Sequence, residues 1–183
     1  MNYVEHIKEL QNEIPDDILI FMKPNTSIAE EINLRPEKCR YEGEISFLME
    51  NKKIIGVAFG IDLTLQDLKN KLREQGFSWE KAKAFDGSAV FSKFIPIQEK
   101  DIADLRLEFY LNDELRQNGG VELMMYKPKE LLKKINNFFT ICDHDIIMTG
   151  TPCGVDILKK GDKCLGKIFQ KDNLLIEKEW IVK

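Results

Sequence analysis

The chain has 183 residues, 43% of them apolar and 32% charged, with a net charge of −4. One domain with a substantial core fits that length, two ordinary domains do not, and the composition excludes a disordered chain. Basic residues are interleaved with acids, as in KNKLRE at 69–74, so no nucleic-acid partner is expected, and no apolar run reaches the length of a membrane span.

In chain order, Tyr3, Ile7, Leu10 and Ile14 recur at spacings of four, three and four and predict an amphipathic first helix. Residues 18–22, ILIFM, read as a short apolar strand stopped by Pro24, which has no N–H for a ladder. YEGEISF at 41–47 reads as a strand, followed by the turn NKK and a second apolar strand, IIGVAFGID. Thr64, with Asp67 three residues on, reads as a helix N-cap and its box partner; Leu65, Leu68 and Leu72 supply the buried stripe and Gly76 the C-cap glycine. Alternating Leu105, Leu107, Phe109 and Leu111 before Asn112-Asp113 predict a hairpin. Pro128 opens a further helix with Leu131, Leu132, Ile135 and Phe139 on one face. DIIMT is a buried strand running into the loop GTPCG, and KCLGKIF with NLLIEKEWIVK forms a closing hairpin. Strands outnumber helices and the turns are short, so the expected fold class is β-rich α+β in one domain, 1–183, not a doubly wound sheet. Cysteines at 39, 142, 153 and 164 form no CxxC pair, and the first residues show no basic segment leading into an apolar one. Reduced thiols, no signal peptide and a cytoplasmic protein are the expectation.

Glu42 and Glu44 sit two apart on a strand, so their carboxylates share a face, where like charges repel. Two readings stand: a solvated strand face, or half of an oxygen-ligand site for a divalent cation. Asp62, at the end of the second apolar strand, is either a third ligand or an ordinary strand-end acid. His6 and Glu9 stand at i and i+3 on the first helix, as a surface pair or as a general base with its orienting carboxylate. Lys83 is either a surface lysine or a buried cation that holds an anionic substrate. Gly150, Thr151, Pro152 and Gly154 form either a loop that offers N–H groups and a hydroxyl to a ligand or a plain turn. His144 reads as a surface loop residue.

In order along nearly the whole chain, NYVEHIKE, FMKPNT, YEGE, GIDLTLQD, WEKAKAFD, LNDELRQNG, DIIMTGTPCGV and the late Gly161-Asp162 pair resemble the fumarylacetoacetate hydrolase family. The block from Gly60 to Asp86 is similar to its small acylpyruvate hydrolases and oxaloacetate tautomerases or decarboxylases. The resemblance implies a fumarylacetoacetase C-terminal-domain-like mixed β roll, assembled as a homodimer. It implies Glu42, Glu44 and Asp62 as ligands of Mg2+ (or Mn2+), His6 and Glu9 as a catalytic pair on a lid helix, and Lys83 as the site lysine. Thr151 would meet the carboxylate of a small anionic keto-acid substrate, and Lys23 belongs to the same signature. The implied reaction is hydrolysis of a C–C bond in acylpyruvates (2,4-dioxo acids), with His6 activating water. Oxaloacetate tautomerisation or decarboxylation would use the same site.

The sequence departs from the family in places. Gln66 stands where relatives carry an arginine that contacts substrate, and Lys69 where they carry a glutamine; a substrate-binding role falls to both, with Lys69 returning the charge from about one turn away. Relatives place a strand ending in Gly-Arg before the NY, and a Cys-Pro pair near Ser88 where this chain has Ala89-Val90. These departures motivate a further alternative, a catalytically weakened member acting as a ligand-binding protein.

Overall fold

Leu105, Leu107, Phe109 and Leu111 are buried while Arg106, Glu108 and Tyr110 between them are half-exposed, the period-two pattern of a sheet with one face on a core. The computed structural model describes residues 1–183 and contains two such sheets. In chain order the strands are β1 (Ile28–Ala29), β2 (Cys39–Glu50), β3 (Lys53–Leu65), β4 (Ala89–Phe91), β5 (Ile95–Pro96), β6 (Leu105–Leu111), β7 (Glu114–Gly120), β8 (Ile146–Met148), β9 (Lys163–Gln170) and β10 (Asn173–Ile181). The first sheet runs β1-β4-β3-β2-β8, with β5 also paired to β3; the second runs β10-β9-β6-β7. Pairing is antiparallel except for β1 on β4, so the first sheet is mixed as expected and the second is wholly antiparallel. The short helices are α1 (Val4–Glu9), α2 (Gln66–Glu74), α3 (Glu80–Lys83) and α4 (Pro128–Asn136). No helix is long and apolar enough to cross a membrane.

The core lies between the sheets. Phe109 stacks with Phe59 at 5.9 Å between centroids and meets Tyr41 at 4.6 Å, and Trp180 closes on Phe59 at 6.1 Å. Burying one such ring contributes about 2–3 kcal/mol. Gly166 makes room for this stack, since a Cβ there would come within 2.5 Å of the Phe59 ring.

Turn chemistry matches the sequence. Asn51-Lys52 and Asn112-Asp113 both carry two positive φ values, the two-residue hairpin turn that suits right-twisted strands. Gly76 at φ 69° caps α2, with Gly76 N–H on Arg73 O and Phe77 N–H on Leu72 O.

Several expectations are corrected. The first helix ends at Glu9, because Leu10 leaves the helical region and Gln11 turns to φ 53°; Ile14 is left 52% exposed. Residues 18–22 form no strand: they find no ladder partner and pass along the rim of a cleft, with Met22 63% exposed. Thr64 is no N-cap, because β3 continues through Leu65, and Asp67 pairs with Lys38 at 3.4 Å instead of closing a capping box. The DIIMT strand is half-buried, not fully buried.

Candidate metal centre and catalytic cleft

β2 is buried on both faces, which answers why two acids sit on it. Tyr41, Gly43, Ile45 and Phe47 face the aromatic core; Arg40, Glu42, Glu44 and Ser46 face the other way. β3 repeats the division, with Phe59, Ile61 and Leu63 on the core side and Asp62 and Thr64 opposite. The antiparallel register sets Glu42 against Asp62, Glu44 against Gly60 and Arg40 against Thr64. Directly opposed residues stand about 5 Å apart at Cβ, so three carboxylates meet on one patch. One oxygen from each of Glu42, Glu44 and Asp62 lies within 4.8 Å of the others.

Three cations partly neutralise the patch. Lys83, buried at the end of α3, donates to Glu42 Oε2 at 3.1 Å, to Thr64 Oγ1 at 2.7 Å and to Asp62 Oδ2. Arg40 Nε donates to Glu42 Oε1 at 3.1 Å. Lys23 Nζ lies 2.9 Å from Asp62 Oδ1 and donates to Ser88 Oγ at 2.9 Å and to the Lys83 carbonyl. That Asp62 oxygen has a charged neighbour but accepts no hydrogen bond. Burial works against ionisation of Glu42, but Lys83 and Arg40 hold its carboxyl well below the usual range. Glu44 has no cation partner and accepts only Gly150 N–H, at 2.7 Å. Burial, and then the charges of Asp62 and Glu42, push its carboxyl up to about 8. Three hard oxygen donors, one buried without a hydrogen bond and one buried without a counter-charge, fit a divalent cation.

His6 lies across the cleft on α1, 2% exposed. Its Nδ1 is 3.0 Å from Glu9 Oε2, and Glu9 Oε1 accepts Gly154 N–H at 2.9 Å. A carboxylate on Nδ1 fixes the tautomer with Nε2 free as a base. Burial lowers the His6 pKa, which keeps the ring neutral for that role. The GTPCG loop thus spends its N–H groups on the site's own acids: Gly150 on Glu44 and Gly154 on Glu9. Gly154 sits at φ 101°, and a Cβ there would fall 1.7 Å from Arg116 O. Gly154→Ala is therefore expected to displace the loop and release Glu9, lowering kcat about tenfold or more while the protein stays folded; circular dichroism and steady-state kinetics together check this.

A cavity of about 730 Å³ opens on this patch and takes in His6, Lys23, Glu42, Glu44, Asp62 and Lys83 together. Thr151 and Lys69 line it too, but Gln66 does not. Gln66, the first residue of α2, instead donates its amide N–H to Asn70 Oδ1 at 3.2 Å. Thr151 donates its hydroxyl proton to Gly43 O at 2.8 Å and accepts from Gln117 Nε2 at 2.7 Å. Its hydroxyl is thus committed to the frame, and the backbone N–H remains for a ligand.

Four contributors escaped the sequence. Arg40 and Thr64 carried a signal, being two residues from Glu42 and from Asp62 on the same faces. Ser88, which receives Lys23, and Gln117, which ties Gly43 N–H to Thr151, are brought in only by long-range folding.

The model of the fumarylacetoacetate (FAA) hydrolase C-terminal family matches residues 1–174. An oxaloacetate tautomerase of Escherichia coli, YcgM, is 34% identical over 88% of this chain and 82% of its own. The crystal structure of an Oleispira antarctica protein described as a fumarylacetoacetate isomerase/hydrolase superposes with a TM-score of 0.94 at 30% identity, covering 100% of this chain and 90% of that one. A fumarylpyruvate hydrolase of Pseudomonas aeruginosa, solved with Mn2+ and pyruvate, superposes with a TM-score of 0.89 at 25% identity over 99% and 85% of the two chains.

Proposed function

This chain belongs to the fumarylacetoacetate hydrolase family, and from that premise we propose that it is a divalent-metal-dependent enzyme that hydrolyses a C–C bond in acylpyruvates, 2,4-dioxo acids. The observation that carries this reading is Glu44: a carboxylate buried beside two others, with no cation of its own. Glu42, Glu44 and Asp62 would hold Mg2+ or Mn2+. When bound, the cation supplies a Lewis acid that polarises the 2-oxo group and offsets the acids' charge.

The chain's own residues do the rest. Lys83, Arg40 and Lys23 hold Glu42 and Asp62 in place, so the ligand oxygens are positioned before substrate arrives. Thr151 presents its backbone N–H to the substrate carboxylate. His6 Nε2 takes a proton from water as the oxygen attacks the distal carbonyl, and Glu9 stabilises the imidazolium that forms. The C–C bond breaks with its electron pair on the three-carbon fragment. His6 returns the proton there, giving a carboxylic acid and pyruvate.

A second reading, oxaloacetate tautomerase or decarboxylase, is favoured by the Escherichia coli relative's name. As a tautomerase, the same His6 would move a proton between carbon and oxygen with no water attack; as a decarboxylase, it would give a proton to the carbon that CO2 leaves. Within either reading the resemblance supports a homodimer. One panel with purified protein and Mg2+ or Mn2+ tests the proposal: ultraviolet loss of acetylpyruvate and fumarylpyruvate, decay of enol-oxaloacetate, and pyruvate release. Metal-dependent turnover of an acylpyruvate supports hydrolysis, turnover of oxaloacetate enol alone moves the assignment to tautomerase, and none on any substrate leaves a ligand-binding protein.

A further inference from the structure

Side chains stand in for a missing strand beside the two glutamates. β8 pairs with β2 only over Ser46–Leu48, and the chain returns to β2 at Asp156, whose carbonyl accepts Tyr41 N–H at 3.1 Å. Between those points the GTPCG loop bulges away, and the backbone groups of β2 need other partners. Thr149 Oγ1 donates to Ile45 O at 2.8 Å, and Thr151 Oγ1 donates to Gly43 O at 2.8 Å. Gly43 N–H donates to Gln117 Oε1 at 2.9 Å. With hydroxyls and an amide on the β2 edge, the loop's own N–H groups are free to turn inward. Gly150 N–H reaches Glu44, and Gly154 N–H reaches Glu9.

Thr149 and Thr151 belong to the segment they tie down, but Gln117 reaches in from β7 and is 1% exposed. Its amide is used at both ends. Besides accepting from Gly43, it donates from Nε2 to Thr151 Oγ1 at 2.7 Å and to Pro152 O at 2.8 Å. Gly43 is the residue between Glu42 and Glu44; Thr151 and Pro152 lie between Gly150 and Gly154. Two residues on, on the same face of β7, Gly119 lets Pro152 close in, since a Cβ there would fall 2.8 Å from Pro152 Cβ. One buried amide therefore joins the strand of the metal side to the loop that holds an acid on each side of the cleft.

We propose that Gln117 is a positioning residue that couples the two halves of the site, setting the GTPCG loop so that Glu44 and Glu9 are held at once. Its bonds go to Gly43, Thr151 and Pro152, and its effect reaches the carboxylate patch and His6 through them. This rests on the reading of His6 as the base.

The test reads both halves without turnover. The chain has two histidines, His6 and His144, so ring 15N NMR of the metal-free protein resolves His6 once His144→Gln identifies the other. The wild type is expected to show one tautomer, protonated at Nδ1, where Glu9 accepts. Gln117→Met removes the amide at similar length, and its His6 is expected to become a mixture of tautomers. In the same variant Mn2+ affinity, read by calorimetry, should fall about tenfold, as when an outer partner of a ligating carboxylate is lost. With metal and acetylpyruvate, kcat should fall about tenfold or more. Adding Gly154→Ala should then cost less than a further twofold or so, because both changes act through one loop.

An unchanged tautomer with unchanged Mn2+ affinity overturns the proposal, and so does a change on one side alone or a fully additive double variant. If Gln117→Met leaves Gly43 N–H unpaired and does not fold, Gln117→Glu is read in its place. Its oxygen still accepts from Gly43, but the carboxylate donates nothing to Thr151 or Pro152. Loss of the fold in both variants makes Gln117 a structural residue and also overturns the proposal. Movement of both signals with no turnover of any substrate keeps the coupling and rejects the hydrolase. Acylpyruvate turnover with neither signal moving rejects the coupling alone.

Discussion

Glu44→Gln is expected to abolish the stabilisation that Mg2+ or Mn2+ gives the wild-type protein, while leaving the metal-free melting temperature unchanged or higher. Without metal, Glu44 is a buried acid with no cation partner, and its carboxyl, pushed up to about 8, is neutral at pH 7. Glutamine copies that neutral group and still accepts Gly150 N–H. It cannot ionise beside Glu42 and Asp62, so the metal-free fold has nothing to lose. With metal the sign reverses, because the amide brings neither the charge nor the second ligand oxygen. At a metal concentration about 100 times Kd the wild type gains about 2.7 kcal/mol, or about 5–10 °C in a domain of this size. The variant should gain less than about 1 °C and lose turnover by about 10³-fold, the several kcal/mol a Lewis acid supplies. A variant that melts lower without metal, or still responds to it, would give Glu44 a structural role.

His6→Ala carries the second large effect and separates the two halves of the site. His6 touches none of the three carboxylates, and its partner Glu9 is held by Gly154 from the opposite side. The metal-dependent rise in melting temperature should therefore persist. The rate of C–C cleavage should fall about 10²- to 10⁴-fold, the range for loss of a positioned general base. Thermal melts and single-turnover kinetics on one protein sample read both. A rate within about twofold of wild type would leave His6 and Glu9 as a structural pair.

Much of the site was legible because it lies on alternating strands. The two-residue spacing of Glu42 and Glu44 placed both acids on one face, and the registry of β2 on β3 brings Asp62 opposite Glu42. The same spacing reaches Arg40 and Thr64. Thr64 was hidden by a plausible capping pattern: three residues before Asp67 it imitates a helix start, while β3 runs on to Leu65. Period-two burial then turns its hydroxyl toward Lys83. Gln117 left no local trace, since its amide works on Gly43, Thr151 and Pro152, far away in sequence. Residues 18–22 misled for the opposite reason. Their composition is that of a strand, but a strand needs a neighbour with free backbone groups, and β1 through β5 and β8 pair among themselves. Gln66 shows that sharing a helix stripe does not by itself place a residue in the cleft: it lies three and seven residues before Lys69 and Arg73 on one side of α2, yet its amide bonds Asn70 and only the other two line the cavity.

The central claim is that Glu42, Glu44 and Asp62 are ligands of one divalent cation. Anomalous diffraction from crystals of the wild-type protein grown with Mn2+ tests it most directly. A single strong anomalous peak bonded to one oxygen of each of the three side chains, and absent from Glu44→Gln crystals, is the expected result. No peak there, or a peak at other residues with this patch still closed by Lys83, would contradict it.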